Sequence, residues 1–536
     1  METKNASFLW WQKGIIYQVY PRSFQDSNGD GIGDIQGMIQ RLDYLKWLGV
    51  TIIWLSPVYL SPMKDFGYDI SDYTAIHPFF GDLDDFSRLI EEVHGRGMKL
   101  IIDHVPNHSS DQHKWFLESR SSRNNEKRDW YIWADPAADG GPPNNWLSVF
   151  GGSAWEWDEE TGQYYYHAFL KEQPDLNYRN PAVQREMDEI MRFWLRKGVD
   201  GFRVDVMWHL MKDKELRNNP PNPNYHEYMP GYDQLSPVFS TDQPEVHDVV
   251  RNMRRVLDEF DERMMIGEVY LPIDRMMSYY GVDNTGAHMP FNFLLLSTPW
   301  DAMQIAAMVD QYIGALPKDA WPNWVLGNHD QPRIRSRAGL QQSRIAAMLL
   351  LTLPGTPTIY YGDELGMQDV PIPKEEIQDP QGLNMPDKDL SRDPARTPMQ
   401  WDATPNAGFS TARPWLRIDK LYKTENVAVE KETTGAMLLL YKSIIALRQS
   451  EPALSTGSYE RIAANRFGMA YVRRAPGHDA FLIALNFSHR PCTISCPGLY
   501  GTTEIATIPE LEGAAFAETI YLSGDEGIIV RLNNKK

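Results

Sequence analysis

Four acidic residues sit where short apolar runs end: Asp103 in "KLIIDH", Asp205 in "GFRVDV", Glu268 in "MIGEVY" and Asp330 in "LGNHD". A single strand-end Asp commonly caps the following helix. Four on one rim invite another reading, because massed carboxylates repel, which lifts some pKa values and separates an acid from a base. Arg203 lies two residues before Asp205, on the same strand face, and is placed to keep one carboxylate ionised. His108 and His329 add hydrogen-bonding groups beside the rim. Three chemistries compete for such a constellation. A metal hydrolase calls for HExxH or HxH, and neither occurs. An enolase-type site calls for carboxylates on Mg2+ with a Lys or His base, and no lysine marks a strand end. Glycoside cleavage needs two carboxylates flanking a sugar and polar groups for its hydroxyls. That fits best, because aromatic-rich loops such as "NNWLSVFGGSAWEW" offer faces on which flat ligands stack.

A second acidic cluster, "DSNGDGIGD", spans Asp26 to Asp34. Asp26, Asn28 and Asp30 open like an EF-hand, but its twelfth position, a bidentate Glu in that motif, is Gly37. Oxygen-only side chains favour a hard cation, Ca2+ or Mg2+, over zinc. The competing reading is a run of Asx and Gly turns without an ion.

Elements must bring the rim together. Apolar runs of strand length alternate with helix-period segments, beginning "GIIYQVY", "GMIQRLDYLKWLG", "TIIWLSPVY", "DDFSRLIEEVHGRG" and "KLIIDHVPNH". Continuous apolar strands alternating with helices predict parallel strands buried on both faces. Eight such strands place the chain in the α/β class as a (β/α)8 barrel, whose strand C-termini share one face. No GxGxxG follows the first strand, which disfavours a dinucleotide fold. Residues 109–180 are too long for a plain connection and predict a small domain inserted after the third strand, over the barrel mouth. Residues 1–108 and 181–455 form the barrel, with a further long polar insertion over 366–430. From about 456 to 536 short strand-like runs predict a C-terminal antiparallel β-domain, read as a β-sandwich.

Composition is ordinary for a globular protein, with 42% hydrophobic and 23% charged residues. The net charge of −19 argues against nucleic acid or an anionic membrane as partner. "METKNASFLWWQKG" has no apolar signal-type core and no run is long enough to span a bilayer, so a cytoplasmic protein is expected. Cys492 and Cys496 fall four apart in a predicted strand, about 13 Å and beyond disulfide reach, which agrees with a reducing compartment.

The ordered blocks "DHVPNH", "QPDLN", "GFRVDV", "GEV", "GNHD" and "GTPTIYYGDELG" resemble glycoside hydrolase family 13, the α-amylase family, within it the α-glucosidase / oligo-1,6-glucosidase group. The resemblance covers nearly the whole chain. It implies that Asp205 is the nucleophile, Glu268 the general acid/base and Asp330 the carboxylate that binds sugar hydroxyls and helps distort the ring. Arg203, His108 and His329 resemble the ligands of the reacting glucose, and Tyr68 its stacking platform. Asp65 and Arg396 resemble the pair that closes the pocket behind a non-reducing glucose, implying exo-action on short substrates such as maltose, sucrose or isomaltose. Phe150 and Phe169 are placed at the entrance. Val206 resembles the valine of enzymes that accept α-1,6 bonds, whereas "GEVYLP" departs from the "GEM" of oligo-1,6-glucosidases. The resemblance also implies a structural cation, Ca2+ first and Mg2+ second, held by Asp26, Asn28, Asp30, Asp34 and the Ile32 carbonyl. A monomer or homodimer acting on a small oligosaccharide is expected. Rival readings are a glucosyl transferase or trehalose-forming relative, and a non-catalytic transporter-type subunit, which would carry a membrane helix and lack the carboxylates.

Overall fold

The computed structural model describes residues 8–533; the first seven residues of the segment read above for a signal peptide lie outside them. Eight parallel strands form one sheet: β1 (Ile16–Val19), β2 (Ile52–Leu55), β3 (Lys99–His104), β4 (Gly201–Val204), β5 (Met264–Gly267), β6 (Met289–Pro290), β7 (Asn323–Val325) and β8 (Thr356–Tyr360). Sequence neighbours pair throughout except β6 with β7, and β8 returns to β1, with Ile16 opposite Ile52 on one side and Thr358 on the other. Between β6 and β7 a side chain replaces the ladder: Asn323 Oδ1 accepts the Asn292 N–H at 2.9 Å, and its Nδ2 donates to the Pro290 carbonyl at 2.6 Å. One asparagine therefore closes the barrel seam.

The barrel interior is filled by Ile16, Ile52, Trp54, Ile101, Met264, Ile266, Met289, Phe291 and Val325, all buried. Side chains two apart on a strand share a face, so the position after Ile101 on the inner face is Asp103, and the position after Ile266 is Glu268. The register sets Asp103 opposite Arg203, and Arg203 opposite Ile266. Apolar packing below and the two-residue period thus push the ionisable groups to the C-terminal rim.

Outside lie α1 (Ile35–Leu48), α2 (Leu83–Gly95), α3 (Pro181–Lys197), α4 (Val246–Leu257), the single turn and a half of α5 (Ile273–Met277), α6 (Ala302–Ala315), α7 (Leu340–Thr352) and α8 (Met437–Ser450). Local signals explain their limits. α1 starts at Asp34, whose carboxylate accepts the Gly37 N–H, and stops at Gly49, which takes φ 100°. α3 has Asn180 as its cap, Pro181 in its first turn and Gly198 at its end. α8, absent from the sequence reading, packs against α7 and α1 and completes the outer ring.

The segment after β3 carries a helix, Lys114–Ser121, and a three-stranded antiparallel sheet of Trp133–Ala134, Trp155–Asp158 and Gln163–Tyr166. Its own small core holds Trp146, Trp155 and Tyr166. Residues 366–430 contain no strand and only short helical turns.

The C-terminal strands β9 (Ser458–Ala464), β10 (Gly468–Arg474), β11 (Phe481–Asn486), β12 (Cys492–Ala506), β13 (Ala515–Leu522) and β14 (Gly527–Leu532) form one antiparallel sheet rather than the two of a sandwich. The reason lies in β12, which runs 15 residues with register shifts after Ser495 and Thr503. Such irregularities bend a strand, and the sheet curls until Ala470 and Val472 of β10 share a core with Ile494 and Ile520. Cys492 and Cys496 are both buried and free.

Candidate active site

Arg203 is the centre of the rim. Its Nη1 lies 2.7 Å from Asp103 and 2.6 Å from Asp205, and its Nη2 lies 2.6 Å from Glu268. The guanidinium and Asp103 are fully buried, while Asp205 and Glu268 keep a sliver of surface towards a cavity. Three carboxylates on one cation leave a net negative cluster, and burial disfavours charge further. Burial accordingly lifts Asp205 well above the ordinary carboxylate range, with Arg203 opposing and Glu268 adding repulsion. It also lifts Glu268, with Arg203 opposing and Asp330 repelling.

The chain turn beyond β4 contributes as well. Val206 takes φ 36° and ψ 47°, a left-handed conformation unusual for a β-branched residue. That turn aims its N–H at Glu268 Oε2, 2.9 Å away. Backbone strain of this kind persists where surrounding contacts over-determine it; here Asp205 N–H is tied to the His104 carbonyl and Met207 N–H to that of Glu268.

Asp330 differs from its neighbours. Burial alone would raise it, but the charges of Arg392 and Arg396 beside it outweigh burial and hold it below the ordinary range. Burial lowers His329 itself to about 3, so the ring is neutral and the two arginines carry the charge, at 3.1 and 2.9 Å from Asp330 Oδ1. Tyr68 lies parallel to the His329 ring, with centroids 5.4 Å apart, and its hydroxyl meets Nε2 at 2.8 Å. His108, lowered to about 4 by burial, is steadied by Asn107 and Gln173 at 3.2 Å each.

Tyr68, His108, Asp205, Glu268, His329, Asp330 and Arg392 line a cavity of about 1180 Å3 together with Asp65, Phe150 and Phe169. Phe150 and Phe169 meet edge to face at 5.5 Å. The expected Asp65–Arg396 pair is not formed. Asp65 instead binds Arg392, 2.8 Å away, while Arg396 sits behind Asp330 and donates to the His329 carbonyl at 2.7 Å. Arg392 reaches the cavity because buried Asp379 grips it at 2.6 and 2.9 Å and the Phe150 ring lies under it at 4.9 Å. Its one signal in the sequence is a second arginine, four residues before the first, in "SRDPAR". Sequence reasoning also missed an aromatic wall next to Glu268. Tyr270 stacks on Phe293 at 4.2 Å and meets Trp208 edge-on at 5.7 Å.

The Asp26–Asp34 loop lies after β1. Asp26 accepts the N–H groups of Asn28, Gly29 and Gly31 and the Ser410 hydroxyl. Asn28 accepts from Asp30, Asp30 from Ile32, and Asp34 from Ser27 and Gly37. The donor set is all oxygen and suits a hard cation, yet its oxygens already serve as Asx-turn acceptors. Among the described residues no three His, Cys, Asp or Glu side chains converge as a metal-holding group.

Buried carboxylates sharing an arginine at the mouth of a parallel barrel, beneath a polar cavity with aromatic walls, define a barrel glycoside hydrolase. The chain belongs to the α-amylase family: the family described as "Alpha amylase, catalytic domain" matches residues 18–457. It is 43% identical over 494 residues to an alpha-glucosidase of Apis mellifera, which spans 89% of this chain and 85% of that one. It is 40% identical over 537 residues to an oligo-1,6-glucosidase of Parageobacillus thermoglucosidasius, spanning 93% and 94%. The solved structure of the alpha-glucosyl transfer enzyme XgtA superposes with a TM-score of 0.93 at 38% identity, covering 98% of this chain and 100% of that one. No helix among the described residues is long and apolar enough to cross a membrane.

Proposed function

We propose that the protein is an exo-acting, retaining α-glucosidase that removes the non-reducing glucosyl unit of short α-glucosides such as maltose, sucrose or isomaltose. The observation that carries this is the pairing of Asp205 and Glu268 on the two Nη atoms of Arg203. Carboxyls this close suit the spacing of about 5–5.5 Å used for retention better than the about 6.5–9.5 Å that leaves room for a water. Asp205 attacks the anomeric carbon as Glu268 gives its proton to the departing glycosidic oxygen. Glu268, now a base, takes a proton from water, which attacks the same carbon and releases Asp205. Asp330, kept ionised by its arginines, accepts hydrogen bonds from sugar hydroxyls, and His108 and His329 hold others. Arg392 with Asp65 closes the far end, which supports exo-action.

A second acceptor alcohol in place of water gives transfer through the same glucosyl-enzyme. The likeness to an enzyme described as alpha-glucosyl transferring supports that branch. Products followed by NMR from the first minutes test both: α-glucose supports retention, β-glucose refutes it, and new oligosaccharides measure transfer. The oxygen-only loop supports Ca2+, with Mg2+ second, as a brace remote from the reacting carboxylates.

A further inference from the structure

Asp103 has no part in the chemistry just described, and no surface through which substrate could reach it. Its Oδ1 meets Arg203 Nη1, the same nitrogen that meets Asp205, and its Oδ2 accepts from Trp54 Nε1 at 2.8 Å. Its carbonyl is held by the Tyr59 hydroxyl. One guanidinium is therefore shared three ways, and only two of the three carboxylates can touch a sugar. We propose that Asp103 is a positioning residue: it holds Arg203 against the reacting pair and, by its own negative charge, sets how much of the guanidinium's charge Asp205 and Glu268 feel.

The charged and titratable groups around Asp103 come from every strand end that faces it. Arg203 stands on β4 and Asp205 just beyond it, Glu268 beyond β5, and Tyr59 and Tyr68 after β2; its own strand adds His104. Burial keeps His104 neutral, lowered to about 3, and Tyr68 is raised well above its ordinary value. Among the described residues Arg203 is thus the one cation with which Asp103 pairs, and any change at Asp103 is passed to the other two carboxylates.

The sign follows. Asp103→Asn removes a negative charge that repels Asp205 and Glu268, and it returns the whole of Arg203 to them. Both carboxyls then lose protons at lower pH. Glu268 must be protonated to act as the acid, so the alkaline limb of kcat/KM moves to lower pH. Asp205 must be ionised to attack, so the acid limb follows it. The expected displacement is about one pH unit or more, given unit charges a few ångströms apart in a buried site. Asp103→Glu retains the charge and should leave the limbs within a few tenths of a unit of wild type, even where kcat falls.

The inference rests on the α-glucosidase reading, so two readouts are needed. The first is the pH profile of kcat/KM on maltose for wild type and both variants, with melting curves to show that each is folded. Acidward movement of both limbs in the Asn variant alone supports the proposal. A folded Asn variant with lower kcat and an unmoved profile overturns it, as does an equal shift in the Glu variant. The second is infrared titration of the protonated-carboxyl band in wild type and Asp103→Asn, which needs no turnover. Should wild type cleave no α-glucoside, the functional reading fails. The Asp103 proposal is then decided by this band: an acidward shift in the variant sustains it, and coincident titrations end it.

Discussion

The chain has two clusters of acidic side chains at the barrel's C-terminal face, and they use the same atoms in opposite ways. In the Asp26–Asp34 loop the carboxylate oxygens point inward at N–H groups of their own turn. At the rim, Asp205 and Glu268 point at an arginine from beneath and at open cavity from above. A carboxylate whose oxygens are occupied by local N–H groups shapes backbone. One that is buried, pressed against others and open on one side carries a displaced pKa and is available for chemistry. Composition alone does not distinguish the clusters; the identity of each oxygen's partner does.

The comparison breaks most decisively at Asp205. Asp205→Asn keeps the size and one acceptor for Arg203 but removes the nucleophile, so kcat should fall on the order of 10^4-fold or more. The melting temperature should hold or rise, because one charge leaves a repelling cluster. Turnover near wild type in a folded variant would return the rim to a merely structural role.

Next in size comes Asp65. Asp65→Asn weakens the pair with Arg392 and leaves that arginine to Asp330 and Asp379. We expect kcat/KM on maltose to drop about 10² -fold, with KM carrying a large share. A loss confined to kcat, with substrate affinity intact, would mean that Asp65 does not meet the terminal glucose.

Burial and the nearby Asp330 charge lift Glu268, so the alkaline limb of kcat/KM should lie above the ordinary glutamate value of about 4.3. Activity is lost as pH rises through the raised pKa, because the acid has given up its proton. Glu268→Gln should abolish that limb on activated substrates whose leaving groups need no proton. An alkaline limb that survives the substitution assigns the acid elsewhere.

How legible these regions were in sequence follows from the same physics. All eight barrel strands could be read, because apolar runs buried on both faces carry a strong local signal. The rim carboxylates proposed to react were visible because they end such runs. Arg392 was missed because it lies in an insertion without periodicity, where position depends on Asp379 and Phe150 rather than on any repeat. Tyr270 and Trp208 look like ordinary loop aromatics until Phe293 from the next strand end stacks on Tyr270 and Trp208 meets Tyr270 edge-on. α8 was overlooked because "MLLLYKSIIALRQS" opens with consecutive apolar residues that blur the helical period. The curl of the C-terminal sheet depends on bulges in β12, which have no single-residue signature.

The smallest effects belong to the loop, and they test whether its turns or a cation do the bracing. Asp26→Ala removes the acceptor for three N–H groups and the Ser410 hydroxyl, at about 1 kcal/mol for each hydrogen bond. The melting temperature should fall by a few degrees, while the initial rate well below the transition stays within about twofold of wild type. Chelation should give a smaller fall in the same direction, since the Asx turns persist without an ion, and added Ca2+ should restore it. Measured together, the two treatments separate the contributions: a chelator that lowers the wild-type transition but not that of Asp26→Ala, which lacks a proposed ligand, assigns part of the stability to the cation and the remainder of the variant's fall to the turns. A chelator that leaves the wild-type transition unmoved assigns all of it to the turns. An immediate, reversible loss of rate on chelation with no change in melting would do more, because it would place the cation at the reacting carboxylates and erase the distinction between the two clusters.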